Sequence, residues 1–265
     1  MTRTDDGRPL ALVTGASGGI GRAFALALAE RGYDLVVVAR DTARLEAVAT
    51  DAAERFEAQA EILTADLADG EQLARVEKRV RTLDRPVDLL VNNAGFGTYG
   101  TFWELPVDRG ENEIRLNVIA LMRLAHAAAE QLVERRTGGM INVSSIAGYQ
   151  PSPRIATYGA TKAFVSSFSQ ALHEELRPFG VRCLVLAPGF TRTGFQQHAG
   201  VDSSTVPDFF WQEAADVVAH ALADYDRGRA VCIPGALNTA TAAFSSVMPA
   251  RITRSIAAKV SRSIE

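Results

Sequence analysis

Leu10-Ala-Leu-Val-Thr-Gly-Ala-Ser-Gly-Gly-Ile-Gly-Arg-Ala-Phe-Ala-Leu-Ala-Leu-Ala-Glu30 decides how the chain folds. Leu10–Val13 is apolar, Thr14–Gly21 is rich in glycine, and Arg22–Glu30 is built from good helix formers, so the three read as strand, tight turn and helix start. Glycine lets the backbone bend through positive φ and approach a ligand without a Cβ clash. Free amides at the start of the following helix then suit a pyrophosphate. The glycines at 15, 19 and 21 read G-x-x-x-G-x-G, which departs from the usual G-x-G-x-x-G fingerprint. No Gly-Lys-Ser/Thr follows, so the turn is not a P-loop. Alone, it is as consistent with a structural bend as with a nucleotide site.

Further β-branched and apolar runs recur at Leu35–Ala39, Ala60–Thr64, Val87–Val91, Met140–Ser144, Val181–Ala187 and Ala230–Ile233. With Leu10–Val13 they make seven strands, separated by amphipathic or alanine-rich stretches of helical length. Such alternation predicts parallel strands joined by right-handed crossovers. The expected fold is therefore α/β, a Rossmann-type doubly wound parallel seven-stranded sheet in a single domain. We place the domain at residues 9–235, with a polar extension at 1–8 and a tail at 236–265. Ligands bind past the carboxyl ends of such strands, where Thr14, Arg40, Asp66, Asn92, Ser144 and Pro188 stand.

Tyr158 and Lys162 are four residues apart, and Ser145 lies thirteen positions before the tyrosine. Positions i and i+4 share one face of a helix, so an ammonium sits beside a phenol whose ordinary pKa is about 10. A fixed positive charge lowers that value. Reaching neutrality takes roughly 3 units, or about 4 kcal/mol, supplied by one lysine in a partly desolvated site plus a cationic cofactor ring. The tyrosine then works as a general acid or base near pH 7. Taken alone, Tyr-x-x-x-Lys reads more simply as a helix-surface pair.

Thr14–Gly21, Asn92-Asn-Ala-Gly95, Asn117 in the helical run Ile114–Ile119, Ser145, Tyr158-x-x-x-Lys162, and Pro188-Gly189 with Thr193 follow one another in a particular order and spacing. In these the chain resembles the short-chain dehydrogenase/reductase family over about residues 9–235. Ala163–Leu176 looks most like members that reduce lipophilic carbonyls, the relatives of ketosteroid and long-chain 3-ketoacyl reductases. The resemblance implies an oxidoreductase that moves a hydride between nicotinamide and a carbonyl or secondary alcohol. It implies Asn117, Ser145, Tyr158 and Lys162 as the catalytic set. Tyr158 would donate the proton and Ser145 hold the developing alkoxide. Lys162 would lower the tyrosine pKa and bond the nicotinamide ribose, and Asn117 would anchor a water leading to the lysine. Implied cofactor contacts are Gly15, Ser17, Gly19, Ile20, Gly21, Arg40, Asp66, Leu67, Asn93, Ala94, Gly95, Pro188, Gly189, Thr191 and Thr193, together with Tyr158 and Lys162. Asp66 and Leu67 would flank the adenine, and Thr191 and Thr193 would meet the carboxamide. The plainer readings are a polar residue on a solvated face for Asn117 and a strand-end turn for Asp66.

Cofactor choice follows from the second strand, which ends Val38-Ala39-Arg40. An acid there binds the adenosine 2′-hydroxyl, whereas an arginine accommodates a 2′-phosphate. Ala39 stands where the family's NAD-preferring members carry an acid, and Arg40 offers a planar fork suited to phosphate. NADP(H) is therefore expected ahead of NAD. Asp41 reads as the N-cap of a helix starting at Thr42 rather than as a ribose-binding acid.

Composition sets outer limits. The 265 residues are 47% hydrophobic and 22% charged, with a formal net charge of -3, which allows a large core and gives no electrostatic case for nucleic acid. Cys183 and Cys232 lie in apolar runs and read as buried free thiols, which fits a reducing cytoplasm. The four histidines lack metal-ligand spacing, so no metal is expected. No apolar run reaches the length of a membrane span. Aromatic residues at 96–103 and 190–211 suit a hydrophobic substrate, or else ordinary packing of a lid. The resemblance implies a homodimer or homotetramer through the helices holding Asn117 and Tyr158. Their Ala125, Ala127, Ala128, Ala129, Phe164, Val165, Phe168 and Ala171 exceed what one buried face needs, unless the sheet takes them all. In the tail, Ile252, Ile256, Val260 and Ile264 form one ridge among Arg251, Arg254, Lys259 and Arg262. Docking on the cleft or a partner subunit is expected ahead of peripheral contact with an anionic membrane. Other functional readings are an alcohol dehydrogenase working oxidatively, an isomerase or dehydratase of the family, and a nucleotide-sensing regulator.

Overall fold

A computed structural model describes residues 7–195, 207–247 and 251. The strands are β1 (Leu10–Thr14), β2 (Asp34–Ala39), β3 (Ala60–Thr64), β4 (Leu89–Asn92), β5 (Gly139–Val143), β6 (Arg182–Leu186), β7 (Thr191–Arg192), β8 (Gln212–Glu213) and β9 (Val231–Cys232). The helices are α1 (Gly19–Glu30), α2 (Thr42–Phe56), α3 (Gly70–Val80), α4 (Val107–Ile114), α5 (Leu121–Arg135), α6 (Ala156–Leu176), α7 (Ala214–Asp226) and α8 (Ala236–Val247). A π-helical turn, Arg115–Ala120, joins α4 to α5.

Seven strands form one sheet in the order β3-β2-β1-β4-β5-β6-β9, and every pairing in it is parallel. The expected doubly wound sheet is present, with the order reversing between β1 and β4. A short ribbon of β7 and β8 is an addition that the sequence reading lacks, because two-residue strands carry no periodic signal.

Alternation along each strand splits the core into two layers. Ala11, Val13, Leu35, Val37, Val91, Ile141 and Leu184 face α1, α2 and α7, where Phe24, Leu28, Leu45 and Val218 fill the gap. Leu10, Leu12, Val36, Val38, Leu90 and Met140 face the other way, against Leu73, Val76, Leu124 and Leu132 of α3 and α5. Truncating one of these fully buried leucines costs about 2–5 kcal/mol. Asp41 caps α2 by accepting from Arg44 N at 3.1 Å, as its position predicts. Cys183 and Cys232 are buried free thiols.

The alanines correct one expectation. Ala125, Ala127 and Ala128 of α5 and Val165 of α6 are buried within the chain itself, so they are not surplus surface. The ridge Ile252, Ile256, Val260 and Ile264 lies outside the described residues. No helix among those described is long and apolar enough to cross a membrane.

Candidate active site

The glycine turn between β1 and α1 forms a cradle held by close backbone approach. Gly15 and Gly19 adopt φ of +66° and +53°. A Cβ on Gly21 would lie 2.1 Å from the Gly15 carbonyl oxygen, and one on Gly15 would lie 2.7 Å from Asn93 Nδ2. Side chains are therefore excluded at both places. Gly18 precedes α1 and supplies no side-chain cap, so the first amides of the helix are left for an anion. The cradle fits a dinucleotide pyrophosphate.

Thr14 and Asn93 staple this turn to the one after β4. Asn93 N and Ala94 N donate to Thr14 Oγ1 at 2.9 and 3.0 Å, and Asn93 Nδ2 donates to Thr14 O at 2.9 Å. Above the cradle, Thr193 packs so closely that a Cβ on Gly19 would sit 3.0 Å from its Cγ2.

One cleft of about 1600 Å³ runs along these strand ends. Its wall includes Gly15, Ser17, Gly19, Ile20, Arg40, Asp66, Leu67, Asn93, Ala94, Gly95, Ser145, Tyr158, Lys162, Pro188, Gly189, Thr191 and Thr193. Gly21 and Asn117 stand behind the wall rather than in it. At the β2 end, the Arg40 side chain is 77% exposed and faces Asp66 at 3.9 Å, while Thr42 and Arg44 line the same mouth.

The catalytic candidates meet at the other end. Ser145 follows β5 and hydrogen-bonds the Tyr158 phenol. Ser144 turns the opposite way, as strand alternation predicts, with its Oγ 2.7 Å from Lys162 O and 2.8 Å from Ser166 Oγ. Lys162 is buried, and its Nζ donates to Val143 O at 2.8 Å.

Electrostatics depart from the sequence expectation. Burial pushes the Tyr158 phenol up to about 12, the Ser145 hydrogen bond opposes this, and a buried Glu113 adds to it. Burial also pulls Lys162 down to about 8, with Glu113 opposing. The expected depression of the tyrosine pKa is not produced by the protein alone. Lysine Nζ lies 5.7 Å from the phenol ring centroid, and desolvation of the phenolate is the largest influence on the tyrosine.

Asn117 is 1% exposed, which removes the solvated-face reading. Its Nδ2 donates to Phe96 O and Thr161 Oγ1 at 2.8 and 3.1 Å, and its Oδ1 accepts from Phe96 N at 3.1 Å. The side chain thus clamps the segment after β4 to α6. It sits in the π-helical turn, a distortion common at functional sites that helix propensity does not reveal. Glu113, one turn earlier, was also missed. The available signal was an acid four residues before Asn117, on the same helix face.

Phe96, Tyr99, Phe190 and Phe195 line the cleft, with Phe195 5.4 Å from the Tyr158 ring. Of the remaining aromatics, Trp103 and Phe209 are 82% and 73% exposed, so the expected aromatic lining is only partly formed. Among the described residues no cluster of His, Cys, Asp or Glu could hold a metal.

Residues 9–203 match the family model described as short chain dehydrogenase. Hydroxysteroid dehydrogenase-like protein 1 of Gallus gallus is 33% identical over 214 residues, covering 80% of this chain and 64% of that protein. The chain thus spans less than two thirds of that relative's length. A short-chain dehydrogenase from Sphingobium yanoikuyae, solved in complex with NADPH, has a TM-score of 0.82 and 39% identity over 91% of this chain and 96% of its own. A bulky-bulky ketone specific alcohol dehydrogenase from Comamonas testosteroni has a TM-score of 0.78 and 34% identity over 91% and 95%.

Proposed function

The chain belongs to the short-chain dehydrogenase family, and from that premise we propose that it is an NADPH-dependent oxidoreductase acting on the carbonyl, or the matching secondary alcohol, of a bulky hydrophobic substrate. The observation that carries this reading is the convergence of Ser145, Tyr158 and Lys162 on one cleft with the glycine cradle. The cofactor, when bound, supplies or accepts the hydride.

Protein groups handle position and protons. Tyr158 Oη donates a proton to the substrate oxygen, and Ser145 Oγ holds that oxygen as negative charge develops. Lys162 places a cation beside both. Gly15, Ser17, Ile20 and the first amides of α1 would hold the pyrophosphate, Asp66 and Leu67 would flank the adenine, and Thr191 and Thr193 would hold the carboxamide. Asn117 keeps the Phe96 segment and α6 in register.

Arg40, supported by Thr42 and Arg44 at the same mouth, favours the 2′-phosphate. Phe96, Tyr99, Phe190 and Phe195 favour an apolar substrate, in keeping with the Comamonas relative, which is named for bulky ketones. Two buried free thiols suit a reducing cytoplasm. The test is loss of NADPH absorbance across a panel of bulky aryl ketones, ketosteroids, 3-ketoacyl thioesters and aldehydes. Turnover confined to NADPH and to apolar ketones is the expected outcome, and no turnover with any carbonyl in either direction rejects the reading.

A further inference from the structure

Gly189 follows β6 and forms part of the cleft wall. Behind it packs the side-chain amide of Asn238, from the first turn of α8. A Cβ on Gly189 would lie 2.6 Å from both Nδ2 and Oδ1 of that amide, so the amide pressed against it is what requires a glycine there. Asn238 is 9% exposed and stands behind the cleft wall rather than in it. Its Nδ2 donates to Pro234 O at 2.8 Å and to Gln212 Oε1 at 3.1 Å.

Gln212 carries the contact onward. Its backbone amide donates to Phe190 O at 2.9 Å, and it stands opposite Thr191 in the β7–β8 ribbon. Thr191 Oγ1 in turn donates to Gly189 O at 3.1 Å. On the far side, Gly235 has a φ of +90°, and a Cβ there would lie 3.0 Å from Gln212 Nε2 and 3.3 Å from Asn238 Nδ2. The two side-chain amides are thus seated between two glycine backbones. The turn also reaches the catalytic segment, because Ile146 N, next after Ser145, donates to Pro188 O at 3.1 Å. Removing one member of such a buried set leaves its partners unpaired, so the turn, the ribbon and α8 fix one another.

We propose that Asn238 is a positioning residue for the nicotinamide end of the cleft, its amide holding the Gly189–Thr191 turn in the place from which that turn meets the cofactor. The inference rests on the reading of Thr191 and Thr193 as carboxamide contacts and deepens it. Asn238 touches neither cofactor nor substrate. It acts on Gly189 directly, and on Phe190 and Thr191 through Gln212. The adenosine end lies at β2, with β1, β4 and β5 between it and β6, beyond the reach of this amide.

Two nucleotides separate the ends of the cleft: NADPH, and 2′,5′-ADP, which carries the adenosine half with its 2′-phosphate and lacks nicotinamide. In Asn238→Ala of the full chain, NADPH should bind about three- to tenfold more weakly, the effect of one lost hydrogen bond, while 2′,5′-ADP binds as it does to the wild type. For ketone reduction, kcat should fall by up to about 100-fold with KM little changed, since a displacement of about 1 Å at the reacting groups costs that much. Gln212→Ala removes one of the two bonds of the Asn238 amide. It should show the same split by less, and it decides the matter if circular dichroism finds Asn238→Ala unfolded. Folded variants that lose both nucleotides equally, or neither, overturn the proposal. A wild type that binds neither nucleotide rejects the cofactor reading and this inference with it. Failure of the wild type to reduce any ketone would instead reject the reaction, while the nucleotide comparison still decides for Asn238.

Discussion

Lys162 Nζ donates to the Val143 carbonyl at 2.8 Å across 19 residues of sequence, tethering α6 to the end of β5. That bond places the ammonium beneath the cleft rather than on the helix surface where a Tyr-x-x-x-Lys pair would ordinarily lie. Lys162→Ala removes a cation with roles toward both tyrosine and cofactor. We expect kcat/KM to fall by about 10²–10⁴-fold and NADPH to bind about tenfold or more weakly, the loss of a charge-assisted hydrogen bond being about 1.5–3 kcal/mol. Steady-state kinetics and a fluorescence titration with NADPH measure the two losses. A variant impaired in neither removes Lys162 from the site.

Tyr158→Phe deletes one hydroxyl whose described partner is Ser145 and leaves the ring against Phe195. Turnover should drop by about 10²–10⁴-fold. NADPH affinity should stay within a few-fold, and stability should change by no more than about 1.5 kcal/mol. Thermal unfolding and cofactor binding separate this from misfolding, so that a folded, cofactor-competent variant with full activity would clear Tyr158 of any role as the acid.

The pH dependence follows from the directions of the two shifts. Reduction consumes a proton from the phenol, which burial holds up to about 12, beside an ammonium that burial brings down to about 8. Reduction should therefore be fastest at lower pH and decline as pH rises through the Lys162 range. Oxidation needs the phenolate and should rise with pH. The positive ring of the oxidised cofactor favours phenolate, so the oxidative midpoint should fall below 12. Profiles of kcat/KM in both directions test this, and oxidation that weakens with rising pH contradicts it.

Arg40 reaches Asp66 only at 3.9 Å with a side chain 77% exposed, a pairing worth under about 1 kcal/mol. Its guanidinium is thus weakly committed within the protein. Arg40→Ala should leave the melting temperature unchanged and weaken NADPH by about 1.5–3 kcal/mol, with little change for NADH. Dissociation constants for both cofactors provide the measurement. Equal losses would mean that Arg40 does not meet the 2′-phosphate.

The sheet was legible because its central strands β1, β4 and β5 are buried on both faces and therefore largely apolar, while the edge strand β3, only half-buried and carrying an exposed Glu61, still shows as a run between turns. β3 begins and ends where its β-branched run does, at Ala60 and Thr64. The cleft was legible because glycine, Asn93, Ser145 and Tyr158 mark strand ends. What sequence did not disclose is depth. The partner of Tyr158 can be read from i+4 spacing, but the desolvation that reverses its pKa shift depends on what packs over it. Glu113 and the π-helical setting of Asn117 were obscured for the same reason, since a π-helical turn leaves no compositional trace and a buried acid resembles a surface one.

Exposed apolar side chains bear on assembly. Ile119 and Met122, at the start of the α5 region, and Phe164, on α6, are 41%, 37% and 37% exposed, and Phe164 stacks on Phe168 at 5.4 Å. Nearby, Phe102, Ile114, Val118, Ala156 and Ala160 line a second groove of about 420 Å³. Contiguous apolar surface of this kind marks an interaction site, and a face shared by two copies of one chain is self-complementary under two-fold symmetry. We expect light scattering to give a multiple of the 28.4 kDa chain mass, and Met122→Glu with Phe164→Glu to shift the population toward single chains by placing unpaired charges in the interface. Retention of the oligomer in the double variant would move the interface elsewhere, and a wild type of single-chain mass at micromolar concentration would show that this face serves no self-association.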